Sequence, residues 1–324
     1  MNILVTGAAG FIGSHLAERL AGLGHAVTGI DSFTDYYSRP LKQANTERFA
    51  EMGIRLIEAD LAEMDLLPLA ATTEAVFHLA AQPGISATTT FQTYLRNNIV
   101  ATQRLLEAAR AAGGGVAAGG PLRLFVNIAT SSVYGFDASC EETAEPRPAS
   151  HYGVTKLAAE QLAMATHRDG GLPVCSARLF SVYGPRERPE KLYPRIIHSI
   201  LSGGEFPIYE GSEAHERSFT FVSDIIDGLV AILDHVPQAT GQIFNIGTEA
   251  TLTTGEGIAI VEDIMGKKAR LRRMPKRPGD QLKTHARIAK ARNLLGYNPT
   301  TTVRAGMEKE VAWYTDSIFA RGIC

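Results

Sequence analysis

The chain has 324 residues, of which 45% are hydrophobic, so it can bury a large core in one α/β domain or in two domains. Its formal net charge of −2 at pH 7 gives no reason to expect nucleic acid or an anionic membrane as a partner. The three cysteines are too few and too scattered for a disulfide framework or a zinc site, and no signal or membrane segment leads into the first strand, so we expect a cytoplasmic protein.

The chain opens with a predicted strand, a glycine-rich turn and a predicted helix. A short apolar run at residues 2–6 precedes Gly7, Gly10 and Gly13, and the helical pattern continues to residue 23. Glycines in such a turn let the backbone approach a pyrophosphate, and the start of the helix offers free N–H groups to it. The same spacing also occurs in ordinary strand-to-helix connections.

A second apolar run, residues 26–30, ends at Asp31. Its distance from the glycine turn suits a carboxylate that accepts hydrogen bonds from the ribose hydroxyls of an adenosine. Because a carboxylate repels a 2′-phosphate, the pattern favours NAD over NADP.

Further strand candidates alternate with amphipathic stretches such as residues 94–112, and they comprise residues 54–57, 75–79, 122–129, 174–179 and 243–246. This alternation predicts a doubly wound parallel sheet with helices on both faces, a Rossmann-type α/β fold. Residues that directly follow the strands should then meet at one edge of the sheet. The Gly/Ala-rich residues 111–121 predict a loop, and the basic residues 267–277 predict solvated surface or a contact with a polyanion such as a diphosphate.

A tyrosine and a lysine lie four residues apart in one predicted helix. Tyr152 and Lys156 would share a helix face, and a buried-looking run at 124–129 ends in the hydroxyl-bearing residues 130–132. A neighbouring ammonium lowers the pKa of a phenol, so we expect Tyr152 to act as a base near neutral pH. The same spacing arises by chance in many helices, where it is a half-buried aromatic beside a solvated lysine.

Together these motifs resemble the extended short-chain dehydrogenase/reductase family, in its branch of nucleotide-sugar epimerases and dehydratases. The matching segments run through the whole chain: Gly7, Gly10 and Gly13, Asp31, residues 60–61, residues 78–82, Asn98, residues 130–135, Tyr152 and Lys156, residues 183–186, residues 217–222 and residues 277–280. The resemblance implies an NAD-binding Rossmann domain at 1–180, to which 222–246 returns, and a smaller C-terminal substrate-binding lobe at 181–221 and 247–324. It also implies a homodimer through helices at 91–112 and 151–167.

The resemblance implies the residues of the site as well. Thr130, Tyr152 and Lys156 would be catalytic. The NAD-binding residues would be Gly7, Gly10, Phe11, Ile12, Gly13, Asp31, Ser32, Asp60, Leu61, Leu79, Ala80, Ala81, Gln82, Asn98, Tyr152, Lys156 and Phe180. The substrate-binding residues would be Ser86, Thr130, Ser131, Ser132, Tyr152, Ser181, Arg188, Tyr209, Arg217, Arg277 and Asp280, with Arg217 and Arg277 clamping a diphosphate. We find no His, Asp and Glu residues clustered at the spacing of metal ligands, so we expect no metal.

Positions 131 and 132 favour an epimerase within this family. Family dehydratases carry acids there that act in water elimination, and related decarboxylases usually carry Glu in the second position, whereas this chain has Ser131 and Ser132. The hydroxyl trio, together with Ser181, resembles UDP-glucuronate 4-epimerases, in which such groups hold the sugar carboxylate and oppose loss of CO2. We therefore expect an NAD-dependent UDP-sugar 4-epimerase, with transient oxidation at C4 and UDP-glucuronate as the leading substrate.

Other activities stay open. Ser86 stands where many sugar-nucleotide epimerases have Arg, and Arg287 stands where an Asp is common, so a UDP-glucose, UDP-galactose or UDP-N-acetylhexosamine 4-epimerase is an alternative. A decarboxylase, dehydratase or reductase of the same fold is another. A non-catalytic nucleotide-binding regulator would be expected to have lost Tyr152 or Lys156, and the chain keeps both.

Overall fold

Strands and helices alternate through the first part of the chain in the computed structural model, which describes residues 1–84, 86, 88–115, 119–276 and 283–323. In order, they are β1 (Asn2–Thr6), α1 (Phe11–Gly22), β2 (Ala26–Asp31), α2 (Arg39–Asn45), β3 (Arg55–Glu58), α3 (Leu67–Ala70), β4 (Ala75–His78), α4 (Phe91–Tyr94), α5 (Ala101–Ala111) and β5 (Leu124–Thr130). A π-helical turn, Leu95–Val100, joins α4 to α5, and a 3₁₀ turn, Ser131–Tyr134, follows β5.

The second part of the chain mixes the same alternation with short strands. Its elements are β6 (Asp137–Ala138), α6 (His151–Gly170), β7 (Val174–Leu179), β8 (Val182–Tyr183), α7 (Leu192–Ser202), β9 (Glu205–Tyr209), β10 (Glu216–Arg217), β11 (Thr220–Phe221), α8 (Val222–Asp234), α9 (Val236–Ala239), β12 (Ile243–Ile246), β13 (Leu252–Thr253), α10 (Thr254–Met265), β14 (Arg270–Met274), β15 (Lys283–Thr284), α11 (Ala289–Leu295) and α12 (Val303–Trp313). A 3₁₀ turn, Ser212–Ala214, and a closing π-helical turn, Tyr314–Phe319, complete it.

One seven-stranded sheet, in the order β12-β7-β5-β4-β1-β2-β3, organises the molecule, and its neighbouring strands are parallel. The strand order reverses between β1 and β4, which is where α/β sheets open a crevice for ligands. The predicted doubly wound parallel sheet is confirmed. β12 closes the sheet beside β7, although α8 and several short strands separate the two along the chain.

Both faces of the sheet are buried, because successive side chains of a strand point to opposite sides. In β1, Ile3 and Val5 belong to the core shared with α1 and α8, whereas Leu4 belongs to the core shared with α5 and α6. Helices therefore cover both faces, and the edge where the strands end is left for a binding site.

Helix α6 has well-defined ends, which matters because it carries Tyr152 and Lys156. At its start, the Ser150 hydroxyl accepts a hydrogen bond from the Gly153 amide at 3.1 Å, the usual role of an N-cap serine. At its end, Gly171 adopts a left-handed conformation with φ +68° that a residue with a side chain rarely takes. Tyr152 therefore lies in the first turn of a helix whose starting point is fixed.

The remaining strands form small sheets, in the orders β13-β10-β15-β6, β11-β8 and β14-β9. Strand β14 is exposed, and its Arg273 pairs with Glu213 at 3.0 Å, which favours the interpretation of this basic segment as solvated surface. Within the described residues, no helix combines the length and apolarity that a membrane span requires.

Candidate active site

The carboxyl edge of the main sheet gathers residues from six strands. They are Gly7 after β1, Asp31 at the end of β2, Asp60 after β3, Ala80 after β4, Thr130 at the end of β5 and Phe180 after β7. Parallel strands end at the same edge of a sheet, so the strand pattern of the sequence was sufficient to predict that these residues lie close together.

The glycine turn after β1 packs too closely for side chains. A Cβ on Gly7, which has φ +69°, would lie 2.9 Å from the amide nitrogen of Ala80, and one on Gly13 would collide with the carbonyl oxygen of Gly7. Gly10 is the N-cap of α1, whose first amides have no partner within the helix. The turn is therefore a backbone cradle that can hold the diphosphate of a dinucleotide.

Asp31 is held in place beside this cradle. Its carboxylate accepts hydrogen bonds from the amides of Ala9 at 3.1 Å and Phe33 at 2.8 Å. Burial raises the pKa of Asp31, while the Phe33 amide and the buried Lys42 ammonium oppose that rise. A carboxylate oxygen bound to one amide keeps a lone pair for a second donor, so Asp31 can also accept a ribose hydroxyl.

Asp60 fixes the turn after β3. One of its oxygens accepts from the Ala62 amide at 2.8 Å, and the other accepts from Arg96 at 2.6 Å. The Arg96 side chain reaches this carboxylate from the π-helical turn that follows α4, so the turn after β3 is tied to the helices on one face of the sheet.

Asn98 connects the end of β4 to α6. Its Oδ1 accepts from the Gln82 amide at 2.7 Å, and its Nδ2 donates to Thr155 at 3.0 Å. The side chain is only 1% exposed, and Asn98 is the buried residue of the π-helical turn. Asn98 therefore ties the end of β4 to α6 and orients the chain there.

His78 fixes the end of β4 through one tautomer. Thr102 donates its hydroxyl proton to the Asn98 carbonyl at 2.7 Å, so it can only accept from His78 Nε2, at 2.9 Å. His78 Nδ1 then accepts from Thr6 at 2.8 Å, and Thr6 in turn accepts from the Ala80 amide at 3.1 Å. Burial lowers the pKa of His78 to about 3, so this histidine is neutral and serves as a fixed support.

Tyr152 and Thr130 meet at the end of β5. The Thr130 hydroxyl lies close enough to the Tyr152 hydroxyl to oppose the rise of its pKa, and it accepts from the Ser132 amide at 3.2 Å and donates to the Ser132 hydroxyl at 3.3 Å. Thr130 and Ser131 are buried, while Tyr152 and Ser132 are half-buried. The structure thus places the Thr130 hydroxyl at the phenol, with Ser132 hydrogen-bonded to Thr130.

The pKa of Tyr152 differs from the sequence-based prediction. Burial raises it above the ordinary value of 10.0, and the cation that opposes the rise is Arg188 rather than Lys156. Lys156 is itself 4% exposed, and burial lowers its pKa to about 8. The prediction that Lys156 lowers the pKa of Tyr152 was wrong for the protein alone, because both groups are taken out of water.

Arg188 lies in a pocket next to Tyr152. Its guanidinium stacks over the Tyr36 ring at 5.6 Å and pairs with Glu190 at 2.8 Å. A Cβ on Gly84 would lie 3.5 Å from the guanidinium. The side chain of Arg188 is 13% exposed, so its charge is only partly screened by water and is available to an anionic group in the site.

The loop that carries Arg188 is anchored to both halves of the molecule. His15 of α1 binds the Pro185 carbonyl at 2.8 Å, and Glu18 of α1 binds Arg186 at 2.8 Å. These contacts join the loop to the helix that begins at the glycine turn.

A buried pair of carboxyl groups anchors the same loop to α12. Glu187, 7% exposed, lies next to Glu310, which is fully buried, and neither carboxyl oxygen of Glu310 has a hydrogen-bond donor among the described residues. Two carboxyls can share a hydrogen bond only when one of them is protonated. Burial raises the pKa of Glu187 to about 7, and burial together with the repulsion from Glu187 raises the pKa of Glu310 well above 4.5, so Glu310 is the carboxyl that keeps its proton and can donate it to Glu187.

Other residues implied by the resemblance are placed less directly. The Ser86 hydroxyl accepts from the amides of Thr88 and Thr89 at 3.2 and 3.1 Å and so caps a local turn. Ser32 is exposed directly after β2, and Ser181 is half-buried at the start of the loop after β7. Tyr209 ends β9 and Arg217 lies on β10, both outside the main sheet, and Arg277 and Asp280 fall outside the described residues.

Sequence reasoning missed some neighbours of the site. Tyr94 stacks near Tyr152 with ring centroids 6.3 Å apart and binds the Gly84 carbonyl at 2.8 Å, and Tyr36 carries Arg188 on its ring. Neither tyrosine belongs to a motif, so no signal in the sequence marked it.

Strand order and a glycine-lined turn of this kind define a class, the Rossmann-type dinucleotide-binding α/β enzymes. The model of the NAD dependent epimerase/dehydratase family matches residues 3–247 of the chain. The chain belongs to this family, which confirms the resemblance drawn from its motifs.

Curated and solved relatives cover almost all of the chain. A Bacillus subtilis protein named an uncharacterized UDP-glucose epimerase is 38% identical over 324 residues, 98% of this chain and 99% of its own length. UDP-glucuronate 4-epimerase 6 of Arabidopsis thaliana is 36% identical over 97% of this chain and 71% of its own length. The crystal structure of UDP-glucuronic acid 4-epimerase from Bacillus cereus, in complex with UDP-glucuronic acid and NAD, superposes with a TM-score of 0.91 at 37% identity and covers 97% of this chain and 99% of that one.

Proposed function

We propose that the protein is an NAD-dependent 4-epimerase whose leading substrate is UDP-glucuronate. The observation that carries the proposal is the end of β5, where Thr130 lies beside Tyr152 and the next two residues, Ser131 and Ser132, carry hydroxyls in place of carboxylates. Neutral hydroxyls can orient a sugar but cannot supply the acid that eliminates water. The Arabidopsis thaliana and Bacillus cereus relatives are named as 4-epimerases of UDP-glucuronate.

The residues at the sheet edge fit NAD. The glycine cradle at residues 7–13 would hold the diphosphate. Asp31 would accept hydrogen bonds from the hydroxyls of the adenosine ribose, and Asp60 and Leu61 would border the adenine. A Cβ on Gly7 or Gly13 would collide with neighbouring backbone and force the turn open, so the tight geometry of these glycines supports this assignment. When bound, NAD supplies the oxidation and re-reduction of the sugar at C4.

The chain's own residues move the proton. Tyr152, as phenolate, would take the proton of the C4 hydroxyl while Thr130 orients the same oxygen, and it would return a proton after the other face of C4 is reduced. Because burial raises the pKa of Tyr152, a positive environment has to favour the phenolate. Arg188 provides that environment from the protein side.

Arg188 also supports a uronate rather than a neutral sugar. Its guanidinium is the cation that most affects Tyr152, so it lies within Coulombic reach of the reacting end of the sugar. A planar guanidinium binds a carboxylate through paired hydrogen bonds. Together with Ser131 and Ser132, Arg188 would immobilise the C5 carboxylate, and an immobilised carboxylate on a 4-keto sugar is protected from losing CO2.

The uridine diphosphate would be held mainly by the part of the chain after residue 180. Arg217 on β10 and Tyr209 at the end of β9 are the candidates among the described residues, and Arg277 and Asp280 are candidates beyond them. Inversion needs the keto sugar to turn its other face while the diphosphate stays bound, so we assign the strong contacts to the diphosphate and the adaptable hydroxyls to the sugar.

A neutral UDP-hexose is the second candidate substrate. The Bacillus subtilis relative, at 38% identity, is named a UDP-glucose epimerase. The Ser86 hydroxyl, engaged with its own turn, offers no charge that would select a uronate.

We propose a cytoplasmic homodimer. Phe91 and Leu95 at the start of the α4 segment and Val154 on α6 are 40%, 38% and 45% exposed. α4 and the π-helical turn contact α6, so these apolar side chains can form one surface that a second copy would cover. Light scattering coupled to size-exclusion chromatography should give twice the chain mass, and Val154→Asp should reduce it.

A substrate panel tests the activity. The purified protein is incubated with UDP-glucuronate, UDP-glucose, UDP-galactose and UDP-N-acetylglucosamine, and the products are resolved by chromatography. We expect UDP-galacturonate from UDP-glucuronate without net NADH formation. Conversion of neutral sugars alone would refute the uronate assignment, and a 4-keto-6-deoxy product or released CO2 would refute epimerisation.

A further inference from the structure

A buried ion pair lies one helical turn beyond Lys156. Glu160 of α6 and Arg178 of β7 have side chains that are 0% and 2% exposed. The Arg178 guanidinium donates to both carboxylate oxygens of Glu160, at 2.6 and 2.9 Å. The pair belongs to neither the cofactor set nor the substrate set.

A polar network holds this pair in one geometry. Ser176 donates to Glu160 at 3.2 Å, and Arg178 donates to the Tyr134 hydroxyl at 2.8 Å while stacking on the Tyr134 ring at 4.9 Å. Tyr134 in turn donates to Asn245 of β12 at 2.8 Å. Residues of β7 therefore hold the carboxylate of Glu160 directly. Tyr134 and, through it, Asn245 of β12 hold the Arg178 side chain in place.

Glu160 faces the same side of α6 as Lys156 and Tyr152, because residues four apart follow one another along a helix face. Burial lowers the pKa of Lys156 to about 8, and Glu160 is the charged group that opposes this fall. The other titratable neighbours do not help: His78 is neutral, Tyr152 is a phenol whose pKa is raised, and the Arg178 charge is balanced by Glu160 itself.

We propose that Glu160 is a positioning residue for the epimerase reaction: its carboxylate, clamped by Arg178, holds the Lys156 side chain as an ammonium ion next to Tyr152. This inference rests on the proposed function for its catalytic consequence, but its electrostatic part concerns only the protein's own residues. A buried ion pair by itself is weak evidence of a gain in stability, since apolar residues of similar size often serve as well. Its location one turn further along α6 than the buried Lys156 gives the pair a reason to be ionic.

The test removes both charges together. Glu160→Gln alone leaves Arg178 buried and uncompensated, and that variant can fail to fold. The double variant with Glu160→Gln and Arg178→Met leaves no orphan charge and keeps an acceptor for Ser176. Its two readouts are the pH titration of the Lys156 side chain, followed by NMR in the full chain and assigned with Lys156→Arg, and the pH profile of kcat with UDP-glucuronate.

We expect Lys156 to titrate about one pH unit lower in the double variant than in the wild type. The corresponding loss of kcat is about tenfold at pH 8.5 and less than twofold at pH 6.5, because only the deprotonated fraction of Lys156 changes. A purely structural role would lower kcat equally at both pH values and leave the titration of Lys156 unmoved.

A matched control is Asp224→Asn. Asp224 on α8 is 6% exposed and accepts from the amide and hydroxyl of Thr301 at 3.1 and 2.9 Å, so the change also perturbs a buried carboxylate. It should leave the titration of Lys156 where it is.

Unchanged titration of Lys156 in the double variant would overturn the inference, as would a wild-type Lys156 that is already neutral at pH 7. If the double variant does not fold, the NMR titration of Lys156 in the wild type still tests whether Lys156 is an ammonium ion at pH 7. Absence of epimerase activity in the wild type would reject the proposed function, and the NMR titration would still test Glu160.

Discussion

The buried pair Glu187–Glu310 makes a prediction about stability and pH. Glu310→Gln replaces the protonated carboxyl by an amide of nearly the same shape, which donates a hydrogen bond to Glu187 without having to hold a proton. In the folded wild type the pKa of Glu310 lies well above its ordinary value of 4.5. The unfolded chain releases that proton near 4.5, so the contribution of Glu310 to stability is fully present below pH 4.5 and is lost as the pH rises.

The magnitude follows from this difference. Each pH unit above 4.5 costs about 1.4 kcal/mol as long as folded Glu310 stays neutral, so the cost is below about 1 kcal/mol at pH 5, is about 2 kcal/mol at pH 6 and goes on rising until folded Glu310 ionises. An amide fits the pair slightly less well than a carboxyl, so we expect Glu310→Gln to be more stable than the wild type by about 2 to 4 kcal/mol at pH 7.5. For a chain of this size that is a rise in melting temperature of roughly 4 to 8 °C.

Thermal unfolding followed by circular dichroism at pH 5.0, 6.0, 7.0 and 7.5 measures the difference between the two proteins. Glu308→Gln is the matched control, because Glu308 lies on the same helix but is exposed, and its melting temperature should follow the wild type at every pH. A difference between Glu310→Gln and the wild type that stays constant from pH 5 to 7.5 would refute the shared proton.

The remaining predictions concern the site. Tyr152→Phe should lower kcat by about 10²- to 10⁴-fold while NAD affinity, measured by calorimetry, changes little, and retained turnover would remove Tyr152 as the base. Gly13→Ala should weaken NAD binding by at least about 100-fold, because its Cβ would collide with the Gly7 carbonyl; Gly22→Ala, with nothing within 4 Å of the added carbon, should bind NAD normally, and equal affinities in both variants would contradict the cradle. Arg188→Gln should lower kcat/KM for UDP-glucuronate by about 100-fold and for UDP-glucose by less than tenfold, measured in parallel assays; an equal loss on both substrates would argue against a carboxylate contact.

The sheet and the ends of its strands could be predicted because they depend on local patterns. The run at residues 2–6 before Gly7 and the run before Asp31 have the period and length of buried parallel strands, and parallel strands deliver their last residues to one edge. The four-residue spacing of Tyr152 and Lys156 likewise predicts that both lie on one face of a helix.

What could not be predicted depends on distant parts of the chain or on burial. Arg188 meets Tyr36 and Gly84, which lie more than a hundred positions earlier in the sequence, and no local pattern links them. Asn98 is buried on a π-helical turn, and the pattern of the sequence did not predict that turn. The predicted direction of the Tyr152 pKa shift was wrong, because the spacing gives the distance to Lys156 but not the loss of water around both groups.

The position of β12 has a consequence for any attempt to exchange substrate specificity between relatives. β12 pairs with β7 as the outermost strand, and α8, which precedes it, packs against α1. A fragment that stopped at residue 180 would therefore bare one edge of β7 and uncover an apolar helix face, and such edges promote aggregation. A chimera that keeps this nucleotide half has to retain α8 and β12 as a discontinuous graft, with the new specificity segments inserted on either side of them.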